Sequence, residues 1–104
     1  MSSLCKTYPM GDRSLAISIE GELDHHRARE ISRYIDQQID CNLPLSLTLN
    51  LAEMSFSDSS GIAVLLRAKR RMGQLDGTLV IEGAQPQPSK VFDAAGLQHI
   101  LQFQ

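Results

Sequence analysis

Asp58-Ser59-Ser60-Gly61 sets two hydroxyls beside an acid, and Asp24-His25-His26 sets two imidazole bases beside another. A serine hydroxyl attacks a carbonyl when a histidine base and an orienting acid stand beside it. His25, His26 and His99 are the only histidines available. The Gly-x-Ser-x-Gly turn that exposes a nucleophilic serine is absent, and 104 residues leave little room for a substrate cleft. Hydrolysis is therefore disfavoured. A metal site from Asp24, His25, His26 and His99 is equally weak, because adjacent helical residues point about 100° apart. The glycine patterns of phosphate loops and dinucleotide folds are missing as well. What is left is a serine at a helix start. Such a terminus carries unpaired N–H groups and a partial positive charge, so it favours a phosphate added there. Asp and Ser are also ordinary N-cap residues, and plain capping explains the run without any chemistry. Gly61 costs about 1 kcal/mol relative to Ala inside a first helical turn, which implies that something packs or docks closely against it.

The elements that position these residues follow from periodicity. Leu4 to Tyr8 reads as a short first strand ended by Pro9, with Gly11-Asp12 as turn residues. Leu15, Ile17 and Ile19 alternate with small or polar residues over 14–20, a second strand that pairs antiparallel with the first. Asp24 is the N-cap of a helix over 25–40 with Ala28, Ile31, Ile35 and Ile39 on its apolar side. Leu45, Leu47, Leu49 and Leu51 alternate with Ser46, Thr48 and Asn50, a strand over 45–51. Ile62, Leu65, Leu66 and Met72 predict a helix over 59–72, with Gly73 at its C′ position. A strand over 78–82, a helix over 88–95 closed by Gly96, and a strand over 100–103 complete the chain.

The order ββαβαβαβ defines an α/β fold with a mixed sheet, in a single domain over residues 1–104. Strands covered on both faces run continuously apolar. These alternate instead, so the helices are expected mainly on one face, leaving the other open and polar. Turns after the strands at 14–20 and 45–51 leave from one sheet edge, which places Asp24 and Ser59 on the same surface if the strands are neighbours.

Composition narrows the function. A formal net charge of −2 is not the electrostatic footprint of a nucleic-acid binder. Arg67, Lys69, Arg70 and Arg71 read as the solvated last turns of the second predicted helix. Cys5 and Cys41 match no metal or redox spacing and read as reduced cytosolic thiols. The N-terminus has no apolar signal segment, and the longest apolar run, Ile62 to Leu66, is far too short for a membrane span. No cofactor is called for, and the oligomeric state stays open.

Gly21-Glu22-Leu23-Asp24-His25-His26, with Ser55-Phe56-Ser57-Asp58-Ser59-Ser60-Gly61 after a strand, resembles the anti-sigma factor antagonists of the sporulation type, which are bacterial single-domain STAS proteins. Phe92-Asp93-Ala94-Ala95-Gly96-Leu97 is similar to the family's Phe-x-x-x-Gly-Leu element, so the resemblance covers nearly the whole chain. It implies a STAS-like sheet with helices packed on one side. It implies partner switching: the unphosphorylated form binds an anti-sigma factor that is also a serine kinase, and a sigma factor is released. Ser59 is the implied phosphoacceptor, a phosphoserine phosphatase the implied reversing partner, and Asp24, Asp58, Ser59, Ser60 and Gly61 the implied partner-binding residues. The implied setting is cytoplasmic and non-enzymatic. The family's further C-terminal helix has no counterpart before Gln104, and Ser55 and Ser57 are further hydroxyls beside the motif. The alternative is a scaffold of the same fold whose serine is never modified, either a subunit of a larger signalling assembly or a small-ligand sensor.

Overall fold

Alternating burial along the strands sets the architecture of this computed structural model, which describes residues 5–104. In chain order the elements are β1 (Cys5–Pro9), β2 (Ser14–Ile19), β3 (Gly21–Leu23), α1 (His25–Asn42), β4 (Ser46–Asn50), β5 (Met54–Ser57), α2 (Ser60–Gln74), β6 (Thr78–Glu82), α3 (Pro86–Ala94) and β7 (Gln102–Phe103). A 3₁₀ turn, Leu97–His99, joins α3 to β7. The main sheet runs β1-β2-β4-β6-β7, with β1 antiparallel to β2 and every other pair parallel. A separate two-stranded parallel ribbon pairs β3 with β5.

Leu15 and Ile17 of β2 sit in register with Leu47 and Leu49 of β4, and these with Leu79 and Ile81 of β6, while Ile19 of β2 pairs with Cys5 of β1. All are buried. Onto this apolar sheet face α1 lays Ile31, Ile35 and Ile39, and α2 lays Val64, Leu65, Ala68 and Met72. Phe92 of α3 is fully buried in the same core. Each of the Val, Leu, Ile, Met and Phe side chains contributes about 1.5–3 kcal/mol by leaving water. The intervening residues Ala16, Ser18, Thr48, Asn50 and Val80 face the other way and remain half-buried. The helices therefore lie on one face, as the alternation requires.

Two polar links fasten α1. The Thr7 and Tyr34 hydroxyls share a hydrogen bond between β1 and α1. Arg67 and Arg71 of α2 reach Asp36 and Asp40 of α1, with Arg67 Nη2 2.8 Å and Arg71 Nη1 3.3 Å from the Asp36 carboxylate. These two arginines join helices rather than simply facing solvent, whereas Lys69 and Arg70 are exposed as expected.

The element order departs from ββαβαβαβ by the β3–β5 ribbon, which the expected pattern had left as turns. Helix α1 continues two residues past 40, the Asn42 side chain donating to the Gln38 carbonyl, and stops at Leu43 in a left-handed conformation (φ 44°). Helix α2 starts one residue later than expected and ends at Gln74. Gly73 is inside it and is not the C′ residue. Asp76 (φ 55°) supplies the left-handed turn instead, and Gly77 N–H returns to the Met72 carbonyl. Helix α3 begins at Pro86, two residues earlier than expected, with proline in the first turn where its missing N–H is harmless. The last strand shrinks from 100–103 to Gln102–Phe103 because Leu97–His99 winds into the 3₁₀ turn. Gly96, at φ 76°, closes α3 as expected. Leu4, expected at the start of the first strand, lies outside the described residues.

Candidate functional site

The ribbon brings the two singled-out stretches together. Gly21 N–H donates to the Glu53 carbonyl and Asp58 N–H to the Leu23 carbonyl, which fixes the end of β5 beside the end of β3. Each strand then turns directly into a helix. Asp24 is the N-cap of α1, its Oδ1 accepting from Arg27 N–H at 3.0 Å.

Asp58 does more than cap its own helix. Its Oδ1 accepts from Ser60 N–H at 2.7 Å, at the start of α2. Its Oδ2 accepts from His25 N–H at 3.0 Å, at the start of α1. One carboxylate thus receives a first-turn donor from each of two helices whose N-termini would otherwise leave those groups unpaired. Charge-assisted bonds of this kind are the stronger sort. Asp24, Asp58, Ser59 and Ser60 are accordingly adjacent on one surface, as the two parallel strands predicted.

Ser59 occupies the N-cap position of α2, yet its side chain makes no capping bond, because Asp58 has taken that task. Its hydroxyl stands exposed at the helix start. Ser60 is half-buried. Ser57 is the one buried polar residue among the described residues, at 0% exposure, so it offers no surface hydroxyl. Its Oγ donates to the Asp58 carbonyl at 3.0 Å.

The Gln87 amide clasps the Ser57 backbone in both directions. Ser57 N–H donates to Gln87 Oε1 at 2.8 Å, and Gln87 Nε2 donates to the Ser57 carbonyl at 3.0 Å. The free edge of β5 is thereby satisfied by a side chain from α3. Gly61 sits under this arrangement and is buried. A Cβ there would come within 2.1 Å of Ser57 Oγ. The close approach inferred from that glycine is therefore internal: it makes room for Ser57, and Gly61 presents no side of its own to a partner.

Two surface residues escaped the sequence reading. Phe56 is 38% exposed on β5 and is paired in register with exposed Glu22 of β3. An aromatic and an acid thus stand on the ribbon just before Ser59. Glu22 and Leu23 do alternate in burial, but a three-residue strand is too short to register as a period.

Among the described residues no three His, Cys, Asp or Glu side chains gather as a metal ion would require. His25 and His26 meet edge to face with ring centroids 5.9 Å apart, and both are exposed.

The main chain thus forms a five-stranded mixed sheet with helices on one face, and a serine is exposed where a parallel βα unit turns. Residues 8–104 match the STAS domain, and the chain belongs to that family. An anti-sigma F factor antagonist of Lysinibacillus sphaericus is 32% identical over 84 residues, covering 81% of this chain and 72% of that protein. The anti-sigma factor antagonist SpoIIAA in its unphosphorylated form superposes with a TM-score of 0.74 at 25% identity, covering 96% of this chain and 86% of that one. The Bacillus cell fate determinant SpoIIAA in its phosphorylated form gives a TM-score of 0.73 at 26% identity, covering 96% and 90%.

Proposed function

We propose that this chain is an anti-sigma factor antagonist that acts by binding, and that its binding is ended by phosphorylation of Ser59. The unmodified form binds an anti-sigma factor that is also a serine kinase, and a sigma factor is released. A phosphoserine phosphatase restores the active form. The setting is the cytoplasm, where transcription is controlled. The named relatives support the antagonist role, and one similar structure is of a phosphorylated form.

The observation that carries the assignment to Ser59 is the division of labour at the turn. Asp58 caps both helices, so the neighbouring hydroxyl is exposed and uncommitted. The docking surface is then Asp24, Asp58, Ser59 and Ser60, with Phe56 and Glu22 beside them and Gly61 beneath.

A phosphate adds a charge of about −1.5 to −2. The N-terminal field of α2 favours it, but the Ser60 N–H is already given to Asp58. The new charge therefore acts mainly outward, against an approaching partner, through repulsion and desolvation. No refolding is needed, since about 2.8 kcal/mol already separates two affinities by a hundredfold.

The test begins with affinity capture from native lysate, with and without ATP, to obtain the kinase partner. Parent, Ser59→Ala and Ser59→Asp proteins are then incubated with that kinase and ATP, the phosphate is located by peptide mass, and binding is titrated. The parent should carry phosphate on Ser59 and lose at least about tenfold in affinity, or about 1.4 kcal/mol. Ser59→Ala should fold, resist modification and still bind. Ser59→Asp should mimic the modified form only in part. Phosphate on Ser60 overturns the residue assignment. Undiminished binding after full modification overturns the switch.

A further inference from the structure

Between α1 and α2, on their outer side, lies an open groove of about 430 Å³. Ala28, Ala63 and Val64 form an apolar floor, and Ser32 and Ser60 border it. Arg29, Arg33 and Arg67 line it together with the single acid Asp36. The small residues create the groove: two helices joined through alanines and serines leave a furrow where larger side chains would have interdigitated.

The charge in this furrow runs against the rest of the molecule. The chain as a whole carries −2. The groove holds three guanidinium groups against one carboxylate, and that carboxylate is already engaged by Arg67 and by Arg71. Arg29 and Arg33 are one turn apart on α1, both exposed, and neither has an ion pair among the described residues. Two unneutralised forks over an apolar floor suit an acidic, amphipathic protein segment. The floor takes its apolar stripe, and the guanidinium groups take carboxylates in paired hydrogen bonds.

The groove also continues the surface described above. Ser60 borders it and is the direct neighbour of Ser59. We propose that the α1–α2 groove receives an acidic amphipathic helix of the same partner that docks at Ser59, and that Arg29 and Arg33 select it. This rests on the partner-binding function proposed above and specifies the partner's chemistry. It also gives the phosphate a second effect. A charge of about −1.5 to −2 at the mouth of the groove offsets its excess positive charge, so phosphorylation would weaken the hold on the acidic segment even where it touches nothing.

The experiment has two arms. In the first, ¹⁵N-labelled full chain is titrated with an 18-residue Leu/Ala/Glu amphipathic peptide and with its Leu/Ala/Lys counterpart. The acidic peptide should bind at least tenfold more tightly, with shifts centred on Ala28, Ser32, Ala63 and Val64. Arg29→Glu/Arg33→Glu should abolish this binding, and Arg29→Gln/Arg33→Gln should weaken it without the risk of a reversed helix charge. Equal binding of the two peptides, or shifts away from the groove, overturns the proposal. In the second arm the kinase partner is titrated against the same variants. A loss of at least tenfold in both supports the proposal. Parent-like affinity in either overturns it while leaving the antagonist function standing. Groove-centred peptide binding together with undiminished kinase-partner binding by the fully Ser59-phosphorylated chain would overturn the switch and leave the groove's specificity for acidic segments intact.

Discussion

Ser57 and Gly61 work as a pair at the turn. The glycine exists because the serine hydroxyl occupies the space where a side chain would begin. The contact is testable by a double-mutant cycle. Gly61→Ala forces its new methyl onto Ser57 Oγ and should cost about 1–3 kcal/mol, the range for overpacking. Ser57→Ala removes a buried hydrogen bond and should cost about 0.5–1.5 kcal/mol. With the hydroxyl gone, the nearest remaining atoms to the added methyl, Phe92 Cε1 and Ser57 Cβ, are at 3.4 Å, so most of the clash disappears. The double variant should therefore be more stable than the sum of the two losses predicts, by at least about 0.5 kcal/mol. Urea unfolding of the four proteins gives the result, and strictly additive costs would show that the glycine serves something other than Ser57.

At the scale of elements, Asp58 ties the starts of α1 and α2 to one another. Helices that leave a parallel sheet side by side each present free N–H groups at the same edge, and a shared acid satisfies both at once. Asp58→Ala should destabilise the chain by about 1–3 kcal/mol through loss of both caps. Asp58→Asn should cost less, because its amide oxygen still accepts one of the two bonds while its NH₂ cannot accept the other. Chemical denaturation followed by far-ultraviolet circular dichroism ranks the three proteins. A denaturant midpoint for Asp58→Ala equal to the parent's would mean that the shared cap contributes nothing. The arginine contacts at the other end of the same helix pair matter less individually, since exposed ion pairs are each worth about 0–1 kcal/mol.

For the whole molecule, the cysteines report on the integrity of the core. Cys5 is buried where β1 joins the sheet, and Cys41 is exposed near the end of α1. Burial, reinforced by the charges of Glu30 and Glu20, pushes the Cys5 thiol up from an ordinary 9.0 to about 12. The folded state therefore holds that proton more tightly than the unfolded state does. Its contribution to stability is complete below pH 9 and is lost progressively as pH rises toward 12. Iodoacetamide at pH 8 should label Cys41 and spare Cys5 until the chain unfolds. Stability measured from pH 8 to 11 should fall more steeply in the parent than in Cys5→Ala. Rapid labelling of Cys5 under native conditions, or parallel pH curves for the two proteins, would contradict this. The residues themselves determined the main-sheet strands, the three helices, the order of these among themselves and the one-sided sheet. Alternation and helical spacing are properties of neighbouring residues, and Leu47, Leu49, Ile31 and Ile35 display them without reference to anything distant. The same local logic made Asp24 a cap and set Ser59 at a helix start. The ribbon of β3 and β5 was invisible because three and four residues carry no period. The capping of α1 by Asp58, the clasp of Gln87 on Ser57 and the furrow between the helices were also decided by tertiary structure. The two hydrogen-bonded pairs are 33 and 30 residues apart. Which donor meets which acceptor there depends on the crossovers that place β2 beside β4, and only the folded chain brings those atoms within bonding distance.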